Sequence, residues 1–227
     1  MVTKALSRIE SGSARLKMSY EEFLEWADED THAEWVDGEV IVFMPAKEIH
    51  QAILGFLHRL LGLYVDLFQL GQIRVAPLEM RLSHSAREPD ILFVANNNLE
   101  QLTADRLKGP ADLVIEIISD DSVQRDRRDK FKEYREAGVR EYWIIDPRAG
   151  KQRADFFRLD EAGDYDLFAT EDDDKVASEV LPGFWLRPEW LWQVKSLSPL
   201  TCALKIEGVA AALQEQIEQA GKAETQV

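Results

Sequence analysis

Glu116 stands inside an otherwise aliphatic run, Leu113-Val114-Ile115-Glu116-Ile117-Ile118. Consecutive branched aliphatics predict a strand buried on both faces of a sheet. A carboxylate in that setting is costly unless it meets a metal ion, a cationic partner or a proton. Each of these compensations bears on chemistry, so the rest of the chain is read outward from Glu116.

The 227 residues suffice for one large domain, or one domain with appendages. The single cysteine, Cys202, excludes an internal disulfide framework and a multi-cysteine zinc site, and suits a reducing compartment. Met1–Lys17 has scattered charge and no apolar core, unlike a secretory signal. The apolar stretch Ile49–Phe68 is interrupted by His58, Arg59 and Asp66, which predicts a buried amphipathic helix and no membrane span. A cytoplasmic protein is expected. The net charge of −15 argues against bulk electrostatic attraction to nucleic acid. Its distribution is uneven, however. Val123–Glu141 holds Arg125, Arg127, Arg128, Lys130, Lys132, Arg135 and Arg140, whereas Asp155–Lys175 is strongly acidic.

Local signals predict an arm over 1–18, a main domain over 19–195 and a C-terminal helical appendage over 196–227. Ser19 with Glu22 three residues on forms a capping-box pattern for a short helix. Asp37-Gly38 between apolar runs predicts a hairpin, with Pro45 closing its second strand. A helix over Glu48–Phe68 is broken by Gly71. Short strands follow at Gln72–Val75 and Leu78–Leu82, then a polar turn at Ser83–Glu88, a strand at Ile91–Ala95 and a partly helical loop over Asn96–Pro110. After the Glu116 strand, Ser119-Asp120-Asp121-Ser122 offers N-caps for a helix to about Ala137, with Gly138 as its C′ glycine. A strand at Glu141–Asp146 and a hairpin of Lys151–Leu159 with Asp164–Thr170 come next. A turn at Leu181–Phe184 and a helix over Leu204–Ala220 complete the chain.

Three chemistry-bearing residues stand in order: Asp90 at a strand start, Glu116 in mid-strand and Lys130 on the following helix. Carboxylates on neighbouring strands can share a hard divalent cation such as Mg²⁺. Such a cation polarises a phosphoryl oxygen and acidifies water. An ammonium can orient that water or stabilise charge developing on phosphate. These parts suit phosphodiester hydrolysis.

The blocks Glu88-Pro89-Asp90, Asp112 to Ser119, and Arg125 to Pro147 (with Lys130, Tyr134, Gly138, Trp143 and Asp146) together resemble the Uma-two family. Glu34-Trp-Val-Asp-Gly-Glu39, Met44-Pro45 and His50 extend the resemblance upstream, so that it covers about 19–190. That family groups restriction-endonuclease-like proteins of the PD-(D/E)XK nuclease superfamily, abundant in cyanobacteria. The resemblance implies an α/β fold with a restriction-endonuclease-like core, a mixed central sheet flanked by helices. It also implies Mg²⁺- or Mn²⁺-dependent cleavage of DNA. Asp90, Glu116 and the Ile117 carbonyl would hold the metal, and Lys130 would position the attacking water. The superfamily's lysine two residues after the acidic residue is absent, since Ile118 stands there; the resemblance implies that its role has moved to Lys130.

Each residue also has a plainer reading. Glu116 could pair with an arginine, Asp90 could serve a Pro-Asp turn, and Lys130 could form an exposed i,i+4 pair with Asp126. Glu39 could complete a metal shell or face solvent from its turn. His50 could cap or pack, or touch phosphate or water, and Tyr134 could be core or contact substrate. A homodimer would supply the two sites needed to cut a duplex, with the C-terminal helix available for it. The competing class is a catalytically silent nuclease fold acting as a nucleic-acid-binding or protein-interaction module.

Overall fold

The computed structural model describes residues 16–28, 31, 33–42 and 46–224. Most of the predicted arm, together with His32 and Met44-Pro45, lies outside these residues. β1 (Leu16–Lys17) precedes α1 (Tyr20–Trp26). Ser19 caps α1: its Oγ accepts the Glu22 N–H, and the Glu22 carboxylate accepts the Ser19 N–H, as the capping-box pattern predicts. β2 (Ala33–Val36) and β3 (Glu39–Val42) form the hairpin, and Asp37 and Gly38 both take positive φ, which such a tight turn demands. α2 (Glu48–Phe68) follows, with nine of its side chains buried.

β4 (Gly71–Val75), β5 (Glu79–Arg81), β6 (Ser85–Arg87), β7 (Ile91–Ala95), β8 (Arg106–Lys108) and β9 (Leu113–Ile117) then alternate between two sheets. α3 (Phe131–Ala137) leads to β10 (Glu141–Asp146), β11 (Arg153–Leu159) and β12 (Tyr165–Thr170). A small pair, β13 (Val176–Ala177) with β14 (Trp185–Leu186), precedes α4 (Pro199–Ala203) and α5 (Val209–Glu224).

The main sheet runs β12-β11-β10-β9-β7-β4 and is mixed: β9 and β10 are parallel and the other neighbours antiparallel. The second six-stranded sheet runs β1-β3-β2-β6-β5-β8. β9 is central and buried along its whole length. Its odd residues, Leu113, Ile115 and Ile117, join a core with α2, Trp143, Phe156, Trp190 and α4. Val114 joins a second core with Leu92, Tyr134, Tyr142 and Ile144, which also takes Met80 and Leu107 from the second sheet. Glu116 shares the face of Val114, because side chains alternate across a strand.

Several expectations are corrected. The polar turn at Ser83–Glu88 is instead strand β6, with all three residues buried between β2 and β5. Its β5 partner is the neighbouring arm of a tight hairpin, whereas its β2 partner lies some fifty residues back, and the polar sequence Ser85-Ala86-Arg87 carries no apolar alternation to announce the pairing. The loop over Asn96–Pro110 resolves into a 3-10 turn at Asn96–Gln101 and the strand β8, parallel to β5. The helix after Glu116 opens with a π-helical turn, Arg125–Lys130, before α3 begins. Gly138 ends it with φ 88°, as its C′ position predicts. The C-terminal helix expected from Leu204 starts at Val209, and a separate short helix, α4, precedes it. Cys202, Ala203, Ile206 and Val209 enter the main core, whereas Ile217 on α5 is 71% exposed.

Candidate active site

β7 and β9 pair antiparallel with Ile91 opposite Ile115, so the register carries Asp90 opposite Glu116 one residue further on. Opposed residues in such a pair share a face and have Cβ atoms about 5 Å apart. Asp90 is turned toward β9: its Oδ2 accepts the Ile117 N–H at 2.7 Å. The same oxygen lies 3.2 Å from Nε2 of His50, which projects from the first turn of α2. Burial works against a charged His50 ring, but the hydrogen bond and charge of Asp90 raise its pKa above the ordinary value.

Glu116 is held from the helical side. Its Oε1 accepts from Lys130 Nζ at 2.8 Å and from the Tyr134 hydroxyl at 2.9 Å. Lys130 is 3% exposed, so it is no solvated surface pair. Its Nζ also lies 2.9 Å from Glu34 Oε1 and 3.6 Å from Asp126 Oδ1. Asp126 and Lys130, four residues apart, share one face of this helical segment, and its π-helical turn is of a kind that recurs at functional sites. Arg87 from β6 closes the cluster, pairing with Glu34 at 3.0 Å and Glu133 at 2.5 Å.

Charge in this pocket is predominantly negative. Burial pushes the Glu116 pKa up to about 8, against the pull of Lys130, and the nearby charges of Asp126, Asp90 and Glu34 add to the rise. Burial alone would lower the Lys130 pKa; Glu116, Glu34 and Asp126 more than reverse this, so Lys130 stays protonated. Burial likewise opposes ionisation of Glu34, yet Lys130 and Arg87 hold its carboxyl down to about 2. Burial, Glu34 and Glu79 push Glu88 up to about 7.

The structure thus brings Asp90, Glu116, Ile117, Lys130, His50 and Tyr134 into one neighbourhood. Glu39 lies on β3, paired with Lys17 of β1, and the ion pairs of Lys130 run to Glu34, Glu116 and Asp126. Sequence reasoning passed over Glu34, Arg87 and Asp126 as site residues. The available signal was Glu34 at the head of a short apolar strand. Arg125 and Arg127 are drawn into ion pairs with Asp126 and Asp155, whereas Arg128, Lys132 and Arg140 of that basic run are exposed.

Among the described residues, no three His, Cys, Asp or Glu side chains form a ready metal-holding group. The residues that could hold a divalent cation are the Asp90–Glu116 pair with main-chain oxygen. They fit Mg²⁺, which prefers oxygen, keeps several waters and often takes only one or two carboxylates. Neither the Lys130 nor the Tyr134 hydrogen bond uses Glu116 Oε2. The Asp126 Oδ1 atom is buried without a hydrogen-bond partner.

A sequence model of the Uma2 family, described as "Putative restriction endonuclease", matches residues 20–189. No curated protein matches the chain. Among solved structures, a crystal structure described as a putative nuclease belonging to DUF820 from Anabaena variabilis ATCC 29413 has a similar fold. Its TM-score is 0.65 at 18% identity, and the match covers 78% of this chain and 98% of that one. At that identity the likeness speaks for the fold alone.

Proposed function

The chain belongs to the Uma2 family of restriction-endonuclease-like proteins, and from that membership we propose that it hydrolyses phosphodiester bonds of DNA with a divalent cation, Mg²⁺ or Mn²⁺. The observation that supports this reading most is the Asp90–Glu116 pair, opposed across β7 and β9, with the Lys130 ammonium 2.8 Å from Glu116. Asp90, Glu116 and the Ile117 carbonyl would hold the cation. A cation there supplies Lewis-acid polarisation of the phosphoryl oxygen and offsets the negative charge that otherwise repels DNA. Lys130 orients the attacking water and stabilises charge developing on the phosphate. Tyr134 fixes the Glu116 carboxylate, and His50 fixes Asp90. Two chains related by symmetry would supply the two sites that cutting a duplex requires.

A silent nuclease fold acting as an interaction module is the second reading. It is favoured by the net charge of −15 and by the occupation of Glu116 Oε1 by Lys130 and Tyr134. The experiment is cleavage of supercoiled plasmid and single-stranded DNA with Mg²⁺ or Mn²⁺, comparing wild type with Glu116→Gln and Lys130→Ala. The nuclease reading expects cleavage by wild type, none by Glu116→Gln, and a loss in Lys130→Ala that falls on turnover more than on metal affinity. No cleavage by wild type, with no metal binding by calorimetry, would select the interaction module.

A further inference from the structure

Glu34 reaches the cluster from the second sheet, on a strand that belongs to the N-terminal hairpin. Its side chain is fully buried and both of its oxygens are engaged. Oε1 lies 2.9 Å from Lys130 Nζ and accepts the Glu88 N–H at 3.2 Å. Oε2 accepts from Arg87 Nη1 at 3.0 Å, and Arg87 in turn pairs with Glu133 on α3. One carboxylate therefore grips both carriers of the site: the Glu88-Pro89-Asp90 segment that presents Asp90, and the helical turn that presents Lys130.

A lysine head on a flexible four-carbon stem is a poorly oriented point charge unless several acceptors fix it. Glu116 provides one anchor. Without a second, Nζ could turn toward the unsatisfied Asp126 Oδ1, 3.6 Å away. Stability alone does not call for the arrangement, since well-packed apolar residues often replace buried ion pairs without loss. We infer that Glu34 is a positioning residue, fixing the Lys130 ammonium and the entry to the Asp90 strand relative to one another. The N-terminal hairpin is then part of the working site rather than a cover over it. This rests on the role proposed for Lys130.

The test compares three variants. Glu34→Gln keeps the shape but removes the charge. Glu34→Asp keeps the charge and shortens the reach. Glu141→Gln alters an equally buried carboxylate whose partners, Ser178, Glu179, Val180 and Arg158, are none of the groups around Lys130. Plasmid cleavage with Mn²⁺ is measured across DNA concentrations. The Lys130 ammonium is followed separately by heteronuclear NMR of lysine-labelled protein, assigned by its loss in Lys130→Met.

Glu34→Gln is expected to lower kcat roughly 10–100-fold, the usual cost of removing an orienting outer partner, with KM little changed. Glu34→Asp should recover part of the loss. The Lys130 signal should shift or broaden in Glu34→Gln and stay in place in Glu141→Gln, whatever either does to thermal stability. A wild-type kcat in Glu34→Gln, or an unmoved Lys130 signal, would overturn the inference. If wild type cleaves no DNA, the nuclease reading fails on its own, and the ammonium signal alone decides the part played by Glu34.

Discussion

Lys130→Met removes an ammonium that lies 2.8 Å from Glu116, 2.9 Å from Glu34 and 3.6 Å from Asp126, while keeping an apolar stem of similar reach. Breaking a buried pair by deleting one partner costs about 3–5 kcal/mol, because the survivors are left as uncompensated charge. Two features place the cost near the lower end. Glu34 keeps Arg87 at 3.0 Å, and Glu116, with its pKa pushed up to about 8, can hold a proton at neutral pH. We expect a loss of about 3 kcal/mol, or about 6–12 °C in Tm for a chain of this size, at ~2–4 °C per kcal/mol. Urea and thermal unfolding followed by circular dichroism at pH 7 would measure it. Introducing Lys130→Met into a Glu116→Gln background should cost less, since one of the stranded carboxylates is already neutral. A loss below about 1 kcal/mol at pH 7, the scale of an exposed pair, would refute the claim that these charges are desolvated and mutually dependent.

Because the folded-state pKa of Glu116 is raised from 4.5 to about 8, the folded protein binds the extra proton between those values, so this group's contribution to stability falls as pH rises through that window. Unfolding free energies of wild type and Glu116→Gln across pH 5 to 8 should therefore converge or cross in favour of the variant, with a slope no steeper than ~1.4 kcal/mol per pH unit; a pH-independent difference would contradict it. At Gly71 an added Cβ would sit 2.1 Å from the Val94 carbonyl oxygen and 2.9 Å from the Phe93 ring, so Gly71→Ala should cost about 2–3 kcal/mol in urea unfolding, and a neutral result would show that β4 and β7 pair less closely than described. Ile217→Ser, at a position 71% exposed, should change stability by no more than about 0.5 kcal/mol, whereas a loss dependent on protein concentration would reveal an assembly built on α5.

The parts of the fold that were legible in the sequence are those whose signal is local. The capping box at Ser19, the Asp37-Gly38 turn, the Gly138 stop and the Pro89-Asp90 strand start each follow from side-chain or backbone preferences within a few residues. β6, the strand β8 and the late start of the C-terminal helix were not legible, because β6 lacks apolar alternation and is buried by the distant β2, β8 pairs with the distant β5, and the residues around 202–209 are drawn into a core built by the rest of the chain. The π-helical turn is likewise invisible locally, since Arg125–Lys130 reads as an ordinary polar helix start.

The candidate site divides in the same way. A lone acid in an aliphatic strand has to be compensated, and that singles out Glu116 from the sequence alone. Asp90 and Lys130 followed from their spacing and from the family resemblance. Which compensation Glu116 receives was a matter of three-dimensional assembly. Only the register of β7 against β9 sets Asp90 opposite it, and only the packing of the helical turn brings Lys130 to its Oε1. Glu34 and Arg87 belong to the second sheet, and nothing in their local sequence couples Glu34 to Lys130 or Arg87 to Glu133, each far along the chain; a buried charge takes whatever partner the tertiary fold brings within a few ångströms, because in a dry interior distance, and not chain order, governs the energy.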